Sequence, residues 1–200
     1  MRIAISGSHS LGKSTFVQDF LETHPDYAFE EEPYRSLRHY HDIKFAEDQT
    51  QAHISLQLNY CIEQLKKYQA GENVICDRCP ADYIPYASYT VDYGHTDIDN
   101  TFIQSLFPLV RHSLRNLDLI VFIPISRKHP IALENDGHRP THALYREWVD
   151  HAFKTLYRKN LKTIMPETNP PKVIEIVGNR QARLKQLDEI IKRKNANNDE

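Results

Sequence analysis

The first residues of the chain combine three features that together allow few folds. An apolar segment, Arg2-Ile-Ala-Ile-Ser6, is followed by eight residues bounded by small and basic side chains, Gly7-Ser-His-Ser-Leu-Gly-Lys-Ser14. Over 13–22, apolar side chains then recur at the spacing of one helix face. This order predicts a strand, a glycine-rich loop and a helix, an arrangement in which backbone N–H groups can surround an anion.

The remainder of the sequence alternates short apolar runs with longer amphipathic stretches. The predicted strands lie at 2–6, 27–31, 73–77, 118–123 and 172–177, and the predicted helices at 13–22, 45–68, 81–91, 101–117, 142–159 and 179–194. Strands that alternate with helices form parallel sheets covered on both faces. The sequence therefore predicts an α/β protein of the P-loop NTPase fold, with three αβα layers around a five-stranded parallel sheet.

The loop matches G-x-x-x-x-G-K-[ST] without a gap, in the context of strand and helix that such a loop requires. Its lysine, Lys13, is expected to reach the β- and γ-phosphates of a nucleotide, and the hydroxyl of Ser14 is expected to bind Mg²⁺. The loop predicts ATP or GTP binding, with ATP and Mg²⁺ as the expected cofactors. The predicted nucleotide-binding residues are Gly7, Ser8, His9, Ser10, Leu11, Gly12, Lys13, Ser14 and Thr15.

Length and charge exclude several other classes of protein. A chain of 200 residues predicts one domain, placed at 1–194, with a flexible tail at 195–200. The formal net charge of −2 provides no positive field for nucleic acid or for an anionic membrane. No apolar run is long enough for a signal segment or a membrane span, so a cytoplasmic protein is expected. Three cysteines are too few for a disulfide framework and are expected to be reduced.

Two motifs that the sequence lacks separate the classes of nucleotide-binding protein. A hydrolysing ATPase of the AAA+ or helicase type places Asp-Glu after an apolar strand, whereas this chain has Val74-Ile-Cys-Asp77-Arg78. A GTPase needs an Asn-Lys-x-Asp motif late in the chain, and the sequence contains none. The sequence therefore favours a small kinase acting on a small-molecule acceptor. A nucleotide-binding regulatory module with weak or no kinase activity is the alternative.

Phosphoryl transfer needs a carboxylate that orients or deprotonates the acceptor. Glu30-Glu31-Glu32 follows a predicted strand, at the sheet edge where ligands of parallel sheets bind. Glu32 is the predicted catalytic carboxylate, with a solvated acidic turn as the alternative. Arg35 could clamp the substrate, pair with Glu32 or lie at the surface.

The transfer also needs a metal ion and positive charge. Asp77 ends a predicted strand and is expected to hold a metal-bound water, while Arg78 is expected to project toward the acceptor; a salt bridge at the strand end is the alternative. The pattern Cys76-Asp-Arg-Cys79 has no second cysteine pair, so redox or zinc chemistry is not expected. The tyrosines at 83–93 could stack on a ring of the substrate, although most are expected to pack in the core.

A polar segment at 126–141 has the composition of a lid that orders over bound phosphates. Arg139 is the predicted catalytic arginine of this lid and is expected to contact the transferring phosphoryl group. The weaker alternatives are Arg127, Lys128 and Arg146.

Several of these motifs resemble known kinases. Asp77-Arg78 is similar to the Asp-Arg or Glu-Arg motif of thymidylate and deoxynucleoside kinases, and Glu32-Pro33 is similar to the Glu-Pro after the second strand of the latter. Leu117-Asp-Leu-Ile-Val-Phe-Ile-Pro124, Asp136-Gly-His-Arg139 and Val177-Gly-Asn179 recur, in similar order, in the AAA-type ATPase/kinase group that includes the nicotinamide riboside kinase domain of NadR-type proteins. The resemblance implies ATP-dependent phosphorylation of a nucleoside, a nucleotide or nicotinamide riboside. The oligomeric state stays open, with a homodimer as one option.

Overall fold

A parallel sheet forms the centre of the computed structural model, which describes residues 1–133 and 142–198. In chain order the strands are β1 (Arg2–Ser6), β2 (Ala28–Glu30), β3 (Val74–Cys76), β4 (Leu119–Phe122) and β5 (Lys172–Glu175). Within these described residues, five strands pair in parallel in the order β2-β3-β1-β4-β5. β1 is central, and its Ile3 pairs with Ile75 of β3 and with Leu119 of β4. The predicted five-stranded parallel sheet is confirmed.

Helices cover both faces of the sheet. In chain order they are α1 (Lys13–Thr23), α2 (Pro33–Leu37), α3 (Gln51–Lys66), α4 (Tyr83–Tyr93), α5 (Asn100–Ser113), α6 (Ala143–Arg158), α7 (Leu161–Ile164) and α8 (Arg180–Asn198). One apolar cluster packs α3, α4, α5 and α6 on one face, and a second packs α1 and α8 on the other. The three predicted layers are therefore confirmed. No helix in the described parts of the chain is both long and apolar enough to cross a lipid bilayer.

The central strand divides its side chains between the two apolar clusters. Ala4 packs with the cluster of α3 to α6, whereas Ile3 and Ile5 pack with that of α1 and α8, and all three are fully buried. Successive side chains of a strand point to opposite faces, so a strand covered on both sides must be apolar at every position. This requirement explains the unbroken apolar run at 3–5.

Helix boundaries differ from the sequence-based prediction where a side chain caps a helix. The helix predicted at 45–68 begins only at Gln51, because the Thr50 hydroxyl accepts a hydrogen bond from the His53 N–H (3.4 Å) and the Thr50 N–H donates to His53 Nδ1 (3.1 Å). A 3-10 turn at Ala46–Asp48 precedes this cap. At the other end of the chain, α8 extends to Asn198, past the predicted end at 194. Helix α7 has four residues, too few for a helical period to show in the sequence.

Three neighbouring strands bring the predicted site residues to one edge of the sheet. β1, β2 and β3 are adjacent and parallel, so Gly7, Glu32 and Asp77 all lie just beyond their carboxyl ends. Ligands of open α/β sheets bind beyond this edge. The sheet order therefore gathers residues that are far apart in the sequence.

Gly7 is the residue at which β1 turns into the loop. Its φ is +137°, and a Cβ placed there would lie 2.4 Å from the carbonyl oxygen of Ile123, just after β4. That part of the backbone is itself fixed, because the Ile123 N–H donates to the carbonyl oxygen of Ser6 (2.9 Å). Neither the backbone angle nor the available space admits a side chain at Gly7.

We expect Gly7→Ala to lower the free energy of unfolding by more than about 2 kcal/mol, because backbone strain adds to a clash with backbone. Gly71→Ala is the matched control: its φ is +98°, but nothing lies within 4 Å of the Cβ position. This control should lose only the strain of a left-handed residue, about 1 kcal/mol. Urea unfolding followed by circular dichroism measures both losses. Equal losses of unfolding free energy in the two variants would show that the nearby carbonyl oxygen of Ile123 does not constrain Gly7.

Candidate active site

Residues 7–14 form a loop around the amino-terminal end of α1. Ser8, His9 and Leu11 in this loop are buried. Lys13 is the first residue of α1, and its Nζ donates to the carbonyl oxygen of Ser8 (2.5 Å). The unpaired N–H groups at the start of a helix, together with a lysine charge, form a site suited to phosphate.

Side chains from α6 and α8 hold the loop in place. Arg146 donates from its guanidinium to the carbonyl oxygen of Ser10 (3.3 Å), and Arg183 donates to that of Leu11 (2.7 Å). In return, the Ser8 hydroxyl donates to the carbonyl oxygen of Arg146 (3.1 Å). The sequence analysis considers Arg146 only as an alternative lid arginine and does not single out Arg183. Neither belongs to a motif, so no sequence signal marks this supporting role.

The pKa of Lys13 is lowered from 10.5 to about 7, first by burial and second by the positive charge of Arg78. The carboxylates of Asp77 and Glu32 oppose this shift. An anion placed against Lys13 would favour its protonated form. The buried lysine is therefore poised to take up a proton together with a phosphate group.

The two predicted metal-binding residues are in contact. The Ser14 hydroxyl donates to Asp77 Oδ2 (2.5 Å), and Asp77 is buried just beyond β3. Hydroxyl and carboxylate oxygens are ligands that Mg²⁺ prefers, and Mg²⁺ usually takes only one or two protein ligands beside phosphate oxygens and water. The Ser14 and Asp77 oxygens fit a magnesium ion of this kind.

Arg78 connects the loop to Glu32. Its Nε and one terminal nitrogen each lie 2.8 Å from Glu32 Oε1. The other terminal nitrogen donates to the carbonyl oxygen of Gly7 (3.2 Å), to Asp82 Oδ2 (3.3 Å) and to the Tyr86 hydroxyl (3.2 Å). The salt bridge that the sequence analysis left as an alternative is present, and it lies inside the site.

The three consecutive glutamates have different surroundings. Glu30 accepts a hydrogen bond from the Tyr68 hydroxyl (2.7 Å), and Glu31 is exposed and accepts one from Ser36 (3.2 Å). Glu32 is 4% exposed and faces Arg78. The structure therefore brings only Glu32 of the three to the site, and this residue does not lie in a solvated turn.

Arg35 lies between Glu32 and Ser14. Its Nε lies 3.5 Å from Glu32 Oε2, and a terminal nitrogen donates to the Ser14 hydroxyl (3.4 Å). Of the three alternatives for Arg35, the structure has the pairing with Glu32. Because its side chain remains partly exposed, Arg35 can also reach a phosphate bound at Ser14.

Asp82 is a site residue that the sequence analysis missed. It is fully buried, accepts a hydrogen bond from the Ser6 hydroxyl (2.5 Å) and pairs with Arg78. Burial raises the pKa of Asp82 to about 6, and Arg78 opposes the shift, so the carboxylate is ionised at neutral pH. The Ser6 hydroxyl is also 2.8 Å from that of Tyr157. The spacing of four residues between Arg78 and Asp82 is the one sequence signal that could have indicated this pair.

A small cavity lies beside Arg78. It holds about 20 Å³, room for about one water molecule, so a larger ligand has to displace its lining. We call it the aromatic cavity, and its lining residues are Phe45, Gln49, Gln57, Arg78, Tyr83, Tyr86 and Tyr145. Two of the tyrosines at 83–93 thus line a cavity at the site. Tyr89 instead packs against Trp148, with ring centroids 5.5 Å apart.

A wider cleft of about 400 Å³ opens on the side of the loop nearer α8. Thr15, Lys128, Asn179 and Arg183 are among its lining residues. Its volume lies in the range of small-molecule sites. The motif Val177-Gly-Asn179 from the sequence analysis therefore contributes to this cleft.

The predicted lid lies only partly within the described chain. Residues 126–133 follow β4 without a helix or strand. Arg139 lies outside the described residues, as do all positions at 134–141. Its role in catalysis stays a prediction.

All three cysteines are buried and free. Burial raises the pKa of the Cys76 and Cys79 thiols above their ordinary value. A thiol held in its protonated form is a poor nucleophile. The absence of redox or zinc chemistry at Cys76-Asp-Arg-Cys79 stays a prediction.

The lowered pKa of Lys13 predicts proton uptake when ATP binds. In the protein without nucleotide the pKa of Lys13 is about 7, and bound phosphates raise it. Binding of ATP·Mg should therefore be accompanied by uptake of a proton at about pH 8 and by much less uptake at about pH 6. Calorimetry in buffers of different ionisation enthalpy measures this uptake. Lys13→Met should bind ATP·Mg more weakly and lose the uptake. Uptake that is the same at both pH values in the unaltered protein would contradict the assignment.

Comparisons with known proteins agree with this geometry. A family model described as "AAA domain" matches residues 2–172. Among curated proteins, none matches the sequence significantly. A solved deoxyadenosine kinase from M. mycoides with bound dATP has a TM-score of 0.64 and 17% identity, over 96% of this chain and 99% of that one. A thymidylate kinase from Candida albicans has a TM-score of 0.62 and 18% identity, over 96% of this chain and 91% of that one.

The NadR protein in complex with NAD and AMP-PNP is also similar, with a TM-score of 0.63 and 16% identity. The match covers 94% of this chain but only 49% of NadR, so the chain spans about half the length of that protein. At these identities the solved structures establish the fold, whereas the family model covers most of the chain. The chain belongs to the AAA domain family and has the fold of the P-loop nucleoside and nucleotide kinases.

Proposed function

We propose that this protein is an ATP- and Mg²⁺-dependent kinase that phosphorylates a small metabolite: a nucleoside, a nucleotide or nicotinamide riboside. The observation that carries this proposal is the buried Glu32 carboxylate, held 2.8 Å from Arg78 and linked through Arg35 to Ser14. A carboxylate in this position serves an acceptor hydroxyl, whereas a site that only binds nucleotide does not need one. The similar solved kinases support the same conclusion.

On the nucleotide side, the loop at 7–14 and Lys13 would hold the phosphates of ATP, and the cleft lined by Asn179 and Arg183 would hold the remainder of the nucleotide. Ser14 and Asp77 would hold the Mg²⁺ ion. When bound, this ion supplies positive charge that neutralises the β- and γ-phosphate oxygens. The Lys13 and Arg35 side chains would add charge on the transferring group.

On the acceptor side, an oxygen of the acceptor would attack the γ-phosphorus while the bond from that phosphorus to the oxygen of the leaving ADP breaks. For a hydroxyl acceptor, Glu32 would orient the group and receive its proton. Arg78 would keep the carboxylate ionised and correctly placed.

We also propose a lid over the site, a single domain and a cytoplasmic location. The segment at 126–141 would act as a lid, with Arg139 on the transferring phosphoryl group, as its polar composition indicates. Residues 1–194 would form a single kinase domain. A cytoplasmic location would supply ATP and Mg²⁺ and keep the three buried thiols reduced.

ADP release in the presence of ATP·Mg tests the kinase function directly. The panel contains nucleosides, their 5′-monophosphates and nicotinamide riboside, each compared with a reaction without acceptor. Release that depends on an acceptor supports the kinase. ATP binding without acceptor-dependent release from any compound would favour the regulatory module instead.

Glu32→Gln should lower kcat by about 100-fold or more with little change in the affinity for ATP, because the variant keeps its shape but cannot receive a proton. Glu31→Gln is the matched control, since its side chain is exposed and contacts Ser36. It should leave kcat within about twofold of the unaltered protein. Steady-state kinetics and circular dichroism measure activity and folding. Similar kcat values for both variants would contradict the role of Glu32.

A further inference from the structure

Arg78 is the one cationic side chain that lines the aromatic cavity among the residues described. Its charge is already matched, because Glu32 lies 2.8 Å and Asp82 3.3 Å from its guanidinium nitrogens. Both carboxylates are buried with it. One guanidinium with two carboxylates makes a buried group of net negative charge.

The other cations at the site lie against the nucleotide loop. Lys13 Nζ donates to the carbonyl oxygen of Ser8, and Arg35 donates to the hydroxyl of Ser14. Neither Lys13 nor Arg35 lines the aromatic cavity. Their charges are needed for the phosphates of the donor nucleotide. Among the described residues that line the aromatic cavity, no positive charge other than that of Arg78 is therefore available to an acceptor.

This charge balance distinguishes two kinds of acceptor. A phosphomonoester carries a charge of about −1.5 to −2 at neutral pH. Placed beside Arg78, it would meet a guanidinium that two carboxylates already neutralise, so its cost of desolvation would not be offset. A hydroxyl carries no charge and needs only a hydrogen-bond acceptor, which Glu32 provides.

The lining of the aromatic cavity adds a second requirement. Four aromatic residues, Phe45, Tyr83, Tyr86 and Tyr145, are among its lining, and aromatic side chains favour a flat ring as the occupant. Gln49 is 2% exposed, and its buried Oε1 has no hydrogen-bond partner in the described structure. A buried acceptor of this kind is satisfied by a ligand N–H group.

From these observations we infer that the acceptor is an uncharged alcohol of the nucleoside class, with a flat ring that carries an N–H donor, and that the site discriminates against phosphomonoesters. The inference deepens the proposed kinase function and rests on it. The ring would enter the aromatic cavity by displacing its lining and would place its hydroxyl at Glu32.

Matched pairs of compounds test the inference in the unaltered protein. Adenosine, cytidine and thymidine are each compared with their own 5′-monophosphate, with ADP release as the readout. For the best pair, kcat/KM should be at least about 100-fold higher for the uncharged member, since the phosphate would add an uncompensated buried charge. A monophosphate that is used as well as or better than its nucleoside would overturn the inference.

A failure of the proposed kinase function would give a different experimental result from a failure of this inference. If no compound supports ADP release, the kinase proposal fails, and equilibrium binding in the presence of a non-hydrolysable ATP analogue with Mg²⁺ then decides the inference. The nucleosides should bind at least about tenfold more tightly than their monophosphates. Equal binding, tighter binding of the monophosphates, or no binding of either would overturn it.

Asp82→Asn tests the physical cause. The variant removes one negative charge from beside Arg78, so the preference for nucleoside over monophosphate should fall by about tenfold or more. Ser6→Ala is the matched control, because it removes a hydrogen bond to the same carboxylate without a change of charge. In Ser6→Ala the preference for nucleoside over monophosphate should stay within about threefold of that of the unaltered protein. An unchanged preference in folded Asp82→Asn would overturn the charge explanation, and the matched pairs remain decisive if this variant does not fold.

Discussion

The candidate site depends on the interactions that compensate the buried positive charge of Arg78. Removing Arg78 from water has a large cost in free energy, which the structure offsets with Glu32, Asp82 and the carbonyl oxygen of Gly7. These partners follow β2, precede α4 and follow β1. Because each must stay within hydrogen-bond distance, this buried cation fixes the three segments relative to one another.

The order of strands determines which segments lie next to Arg78 and its partners. β1 leads into the glycine-rich loop, while its neighbour β3 leads into Asp77 and Arg78. Adjacent side chains at the end of a strand point in different directions. Asp77 therefore reaches Ser14 of α1, whereas Arg78 reaches Glu32 beyond β2.

The sequence predicts the parts of this arrangement that have a local pattern. The strand at 2–6, the loop at 7–14 and the alternation of strands and helices each follow from short-range periodicity or spacing, and the structure confirms the resulting sheet. Arg183 and Gln49 could not be recognised in this way, because their roles arise from burial against residues distant in the sequence. Asp82 lies only four residues from Arg78, but this spacing does not by itself show that the pair is buried. The start of α3 was misplaced since the cap at Thr50 interrupts an apolar pattern that continues on both sides.

The position of β1 in the middle of the sheet also has a consequence for biosynthesis. The strand leaves the ribosome before both of its neighbours, which begin at Val74 and Leu119, and Tyr157, which reaches Ser6, is made later still. This strand is apolar on both faces, and it can be paired on both sides only after β4 has been translated. Long-range pairing of this kind slows folding and exposes the nascent chain to aggregation. The strand that leads into the glycine-rich loop thus makes the pairing of longest range in the described sheet.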